Sequence, residues 1–286
     1  MKVHTIKLAI RLFFLTTSSA ILAQNDFQGK AYYQTKTTID LSNFGGRELS
    51  EERKKEIAER MKSRLEKTFI LTFNQLESLY KEEARLETPG QGSGMRFSMM
   101  NINGGEQYKN VKTQQILKEQ EFMGKQFLIN DSLQKLDWKL GTETKIIGQY
   151  TCFKATAIKK AEGFDFSSFR RRPNNEKVKD STNNTNKEAE DLPKEVLVTA
   201  WYTPQIPINQ GPDMYWGLPG LILEVNADRT TILCTKIILN PKEKKVIEVP
   251  SKGKDISQQA YDLVVKEKME EMRQMYRGSR FHRGRR

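Results

Sequence analysis

Apolar and polar residues alternate in short runs along most of this chain, and period two prevails over the helical period. Thr68 to Phe73 sets Phe69, Leu71 and Phe73 on one side. Phe27 to Leu41, rich in Tyr and Thr, reads as a first strand, and Leu76 to Leu86 as a more polar one. Short strands are expected over Tyr108 to Glu121, Lys125 to Ile129 and Lys135 to Leu140, then over Lys145 to Lys160. Gly220 to Asn226 and Thr230 to Leu239 pair as a hairpin across Ala227-Asp228-Arg229, and Val246 to Val249 is a last short strand. Two stretches follow the helical period instead. Glu51 to Lys67 carries a narrow stripe of Ile57, Met61 and Leu65 behind a Ser50 cap. Near the end, Asp255 with Gln258 resembles a capping box and opens a helix with the stripe Tyr261, Val265, Met269, Met272 and Tyr276.

From Val196 to Val225 the pattern changes. Four prolines (Pro204, Pro207, Pro212, Pro219) and three glycines (Gly211, Gly217, Gly220) alternate with apolar residues. Proline fixes φ and removes a donor, while glycine reaches φ > 0 without strain, so this segment specifies one irregular path. Trp201, Ile206, Ile208, Tyr215, Trp216, Leu218, Leu221 and Ile222 are too many large apolar groups to leave wet, at about 1.5 to 3 kcal/mol each. A buried strap between two strands is predicted.

The run Gly217-Leu218-Pro219-Gly220-Leu221-Ile222 resembles the signature of the GLPGLI family of Bacteroidetes envelope proteins. Upstream, Gly148, Cys152 and Lys154-Ala155-Thr156 are similar to the family's strand, and Trp201-Tyr202-Thr203, Pro207 and Gly211-Pro212 follow in the family's order. The family carries no established activity and no assigned catalytic residue, so the resemblance marks these positions as structural. The expected architecture is α+β: a mainly antiparallel, strongly curved sheet, half-barrel and lipoprotein-carrier-like, with a helix in the amino-terminal half and another at the carboxyl terminus covering its faces or mouth.

Residues 1–23 read as a secretory signal peptide. Lys2, Lys7 and Arg11 precede a short apolar run, small residues follow up to Ala23, and no Cys near the cut could accept lipid. The run falls far short of the roughly 20 residues a membrane span needs. A single β-rich domain is expected over 24–276. Within it, 161–193 is a polar, low-complexity insertion expected to be disordered, and 277–286 is expected as a basic disordered tail.

Composition narrows the chemistry. The formal net charge is +12, from 48 Lys and Arg against 36 Asp and Glu, so acidic partners are favoured. For an exported chain these are acidic envelope glycolipids and not nucleic acid. There are two histidines, His4 in the leader and His282 in the tail. The body therefore has no Ser-His-Asp or Cys-His machinery and no multi-His metal site. Met95, Met99 and Met100 form a thioether cluster in the Gly-rich stretch Thr88 to Gly105, read as gap-filling side chains before a Cu(I) site. Neither a metal nor a cofactor is expected. Cys152 and Cys234 leave two alternatives, a disulfide or two buried free thiols.

Catalysis would have to rest on carboxylates such as Glu224 and Asp213 or on a Ser-Lys pair, and no spacing demands it. The aromatic residues Trp201, Tyr202, Tyr215 and Trp216 beside Pro and Gly suit an apolar or amphiphilic ligand. The expectation is an exported periplasmic, outer-membrane-associated or secreted protein. It would act as a non-enzymatic binding or carrier module, or as an accessory to an outer-membrane transporter. The alternative is an envelope hydrolase using carboxylate or Ser-Lys chemistry.

Overall fold

The computed structural model describes residues 27–38, 50–83, 105–160 and 195–282. The leader, the Met95, Met99 and Met100 cluster, the insertion 161–193 and residues 283–286 lie outside the described residues. Twelve strands form one sheet: β1 (Gln28–Thr37), β2 (Glu66–Asn74), β3 (Glu77–Glu82), β4 (Gln107–Asn110), β5 (Gln115–Phe122), β6 (Lys125–Ser132), β7 (Lys139–Ile147), β8 (Tyr150–Lys160), β9 (Glu195–Thr203), β10 (Leu221–Ala227), β11 (Thr230–Leu239) and β12 (Lys254–Ile256). Two helices accompany them, α1 (Glu51–Leu65) and α2 (Gln258–His282).

The sheet consists of two meanders laid edge to edge. β1 to β6 run in sequence order, β7 to β11 run back toward them, and the halves join where β1 pairs antiparallel with β11, Tyr33 opposite Cys234. β12 adds a parallel pairing, on β6. This arrangement overturns the expected α+β half-barrel. The sheet is large and mixed, neither closed nor strongly curled, and with two helices among the described residues the protein is largely β. Closure requires the two edge strands to pair, whereas here β7 ends one side and the three-residue β12 the other. The helices cover no mouth. α2 packs Tyr261, Val265 and Met269 on Phe122, Phe127 and Ile129 of β5 and β6, and α1 lies against β1 and β2. No helix among the described residues is long and apolar enough to cross a membrane.

Local chemistry accounts for most of the boundaries. Ser50 caps α1 by accepting from the Arg53 amide at 3.4 Å, and Glu56 and Arg60 pair one turn apart at 2.6 Å on its exposed side. The run expected as one strand over Tyr108 to Glu121 is two, because the Asn110 side chain accepts from the Lys112 and Thr113 amides at 3.0 Å each and folds a turn. Asp255 lies within β12, so α2 is capped instead by Ser257, whose hydroxyl accepts from the Ala260 amide at 3.2 Å. α2 also takes in residues 277–282, past the expected start of the tail. Val246 to Val249 is no strand; Ile247 is buried there against Tyr108 and Leu117, while Val246 faces solvent.

One face of the sheet holds the main core. Ala31, Tyr33, Leu71, Phe73, Tyr80, Val198, Ala200 and Val225 alternate inward, and Phe69 stacks on Tyr80 with ring centroids 4.7 Å apart. Residues 204–220, between β9 and β10, lie on this face.

Candidate functional site

The strap 204–220 is buried through its apolar side chains: Ile206, Ile208, Tyr215, Trp216 and Leu218 are all nearly inaccessible. Its backbone poses a different problem. Four prolines remove donors while keeping carbonyls, so acceptors outnumber the amides available to satisfy them. The deficit is met by side chains from elsewhere in the sequence. Lys109 on β4, with no exposed surface, donates its ammonium to the carbonyls of Asp213 at 2.6 Å, Gly211 at 2.7 Å and Tyr215 at 3.3 Å. The Trp138 indole donates to the Trp216 carbonyl, and the Trp216 indole to the Gln134 carbonyl, each at 2.9 Å. The Tyr33 hydroxyl donates to the Ile222 carbonyl at 2.7 Å. Ser78, the register partner of Lys109, donates its hydroxyl to Gln210 Oε1 at 2.9 Å.

Burial pushes Lys109 down to about 7, against the opposing pull of the Asp213 carboxylate. Tyr80 and Tyr215 are both raised, first by burial and then by the same carboxylate. Asp213, at φ 49°, therefore sits electrostatically among Lys109 and two phenols, on a residue whose backbone is already in the left-handed region.

The glycines of the GLPGLI run have distinct duties. Gly217 has φ 89°, and a Cβ on Gly220 would run into the Thr203 carbonyl. Leu218, Leu221 and Ile222 are buried beneath them, with Pro219 at the exposed crest. Gly148 lies in the turn between β7 and β8, and Thr203 ends β9 fully buried. Pro207 is exposed, whereas Gly211 and Pro212 are buried beside Lys109's acceptors. Cys152 and Cys234 are free and buried, their thiols pushed up to about 11 and about 12 by burial. Of the two alternatives the structure shows the free thiols, on β8 and β11 with β9 and β10 between them.

Between the strap and the β10–β11 hairpin lies a half-open cavity of about 260 Å³. Val225 and Ile232 supply an apolar floor, Tyr215 a wall, and Lys159, Asp213 and Asp228 the charged part of the lining. Of the four aromatic residues expected to bind a ligand, only Tyr215 is here. Tyr202 is buried, its ring tilted against Phe153 at 6.2 Å, and the buried Trp216 donates its indole N–H to the Gln134 carbonyl. Trp201 is half-buried with the Lys145 ammonium 5.4 Å above its ring. Glu224 is no ordinary surface acid: at 8% exposure it pairs with Lys145 at 2.5 Å and accepts from Asn226 at 2.8 Å. Sequence reasoning missed Lys109, Lys159 and Asp228. The donor-poor strap signalled that an outside donor was needed, but nothing in the sequence named which.

What fold and site together define is a largely β protein with a proline-rich strap pinned across one face of its sheet. Residues 138–224, which run from Trp138 through the strap to Glu224, match the family described as "Protein of unknown function (Porph_ging)". No curated protein matches the chain. Two solved structures of PNGF-II, in C2 and P21 space groups, are similar at 12% and 13% identity with TM-scores of 0.45. The similarity covers 82% of this chain and 32% of each of those, so the chain spans about a third of their length.

Proposed function

We propose that this chain is an exported, non-enzymatic binding module of the Bacteroidetes cell envelope, a GLPGLI-family protein that holds an apolar or amphiphilic ligand as a carrier or transporter accessory. The observation that carries this reading is the half-open cavity beside Tyr215, with an apolar floor and charges at its lining. Supporting it, the strap that forms one wall is fixed by Lys109 and Trp138, so the cavity is preformed and a ligand need not order it. The excess of Lys and Arg favours contact with acidic envelope glycolipid. Export would remove residues 1–23 and leave Gln24 as the amino terminus, which amino-terminal sequencing of secreted material reads directly.

A second reading rests on one observation. Ser78 and Lys109 are directly opposite on β3 and β4, and Lys109 is depressed to about 7, as a Ser-Lys hydrolase would want its base. Against it stand their complete burial and the commitment of both donors, Ser78 to Gln210 and Lys109 to three carbonyls. Native mass spectrometry of protein purified from its own envelope separates the two. The binding reading expects a retained small molecule that leaves on gentle activation. A bare polypeptide mass, together with esterase or amidase turnover that Ser78→Ala removes without lowering the melting temperature, would overturn it.

A further inference from the structure

The cavity beside Tyr215 contains more charge than an apolar ligand needs. Lys159 is half-buried on β8, and its ammonium contacts the Met214 thioether sulfur at 2.7 Å; among the described residues no carboxylate lies within ion-pair distance of it. Asp213 enters from the strap and Asp228 from the β10–β11 turn, both with φ near 50°; among the described residues neither carboxylate has a cation within ion-pair distance, and Lys109 acts on Asp213 from farther away. Beneath them Val225 and Ile232 are nearly inaccessible. Charges of both signs thus ring an apolar floor; Lys159 and Asp213 are half-buried and Asp228 is exposed at the rim. A half-buried charge is stabilised by a ligand group of opposite sign.

We infer that this cavity binds a zwitterion with an apolar substituent: a ligand whose amine is held by Asp213 and Asp228, whose anionic group meets Lys159, and whose apolar part lies on Val196 and Ala227, the half-buried apolar residues of the lining. The inference rests on the binding reading above and names the head-group chemistry it leaves open. A purely anionic ligand would face two carboxylates, and a purely cationic one would face Lys159. Only a molecule carrying both signs satisfies all three. That chemistry is shared by a phosphoethanolamine lipid head and by a short peptide with free termini.

Isothermal titration of the full chain tests this with four probes: octyl phosphoethanolamine, octanoate, octyl glucoside and the dipeptide Leu-Leu. The octyl phosphoethanolamine, the dipeptide or both should bind more tightly than octanoate and octyl glucoside. Lys159→Gln and Asp228→Asn should each weaken that binding by roughly tenfold, the value of one charged contact, and leave octyl glucoside unchanged. Tightest binding of the phosphoethanolamine would mark a lipid source, and of the dipeptide a peptide source; either supports the inference. Equal binding of octanoate or octyl glucoside, or variants that bind the zwitterion as well as the parent, would overturn it while leaving the binding reading intact. If no probe binds, the head-group inference falls; the envelope-purified protein, if it also has no ligand, then removes the binding reading too. Melts of both variants accompany the titrations, and both side chains lie outside the sealed core.

Discussion

Lys109 on β4 donates to the carbonyl of Gly211, 102 positions later in the chain, at 2.7 Å. With the Asp213 and Tyr215 carbonyls this contact gives each of the three ammonium protons an acceptor on a strap whose prolines leave carbonyls in excess. Lys109→Met keeps the stem volume and removes the donor from three buried carbonyls. The expected loss is about 3 kcal/mol or more, since an abandoned buried acceptor costs about 1 to 3 kcal/mol. Denaturant unfolding measures it, and a loss under about 1 kcal/mol would mean that the strap stands without this pin.

The same lysine gives stability a pH dependence of known sign. Burial lowers it from an ordinary 10.5 to about 7 in the folded chain, so between those values the unfolded chain binds more protons. Its contribution is fully present above 10.5 and is lost as pH falls through about 7. The stability gap between the parent and Lys109→Met should therefore widen in the parent's favour from pH 6 to 9, below the range where Tyr33, Tyr80 and Tyr215 respond. A flat gap would show that the three carbonyls keep the ammonium charged across that range.

Gly217→Ala forces an L side chain to φ 89° and is expected to cost about 1 to 2 kcal/mol. Gly220→Ala should cost at least as much, because its new Cβ meets the Thr203 carbonyl, a backbone atom that cannot step aside. Leu218→Ala and Leu221→Ala, which empty fully buried sites, should each lose about 2 to 5 kcal/mol. Gly148→Ala has open space around it and pays only for φ 60°. Thermal melts rank the five, and a Gly220 variant as stable as the parent would refute the close approach.

Glu224→Ala removes the partner of Lys145 and of the Asn226 amide, which in turn accepts from Thr231 at 2.8 Å. Lys145 is 42% exposed and can regain water, so the expected loss is modest, about 1 to 2 kcal/mol. Chemical denaturation with the Asn226→Ala and double variants gives the coupling; full additivity would mean that the chain of contacts adds nothing.

Local patterns were legible because they depend on neighbours in sequence. Phe69, Leu71 and Phe73 marked β2, Ser50 marked the start of α1, and the Pro, Gly and apolar spacing of 204–220 marked a strap. What stayed hidden depends on pairings over long separations. Nothing around Lys145 or Asp255 says that β7 ends one side of the sheet and β12 the other, so an open sheet was read as a half-barrel. Lys109 illustrates the same limit at the site. Within Gln107-Tyr108-Lys109-Asn110 it looks like a solvent-facing lysine on a short strand, and only the seating of a strap a hundred residues later buries it. Cys152 and Cys234 left two alternatives for the same reason, since no local pattern gives the two strands that lie between theirs.

The central claim, that the cavity beside Tyr215 is where this protein holds its ligand, is tested most directly by filling it. Ala227, half-buried and packed against the edge of the main core, lines the cavity at the end of β10, so a larger side chain there fills part of it. Native mass spectrometry of the parent and of Ala227→Phe, both purified from their own envelope, is the measurement. The expected result is a ligand on the parent and none on the variant, at closely similar melting temperatures. The same ligand at the same occupancy on both would contradict it.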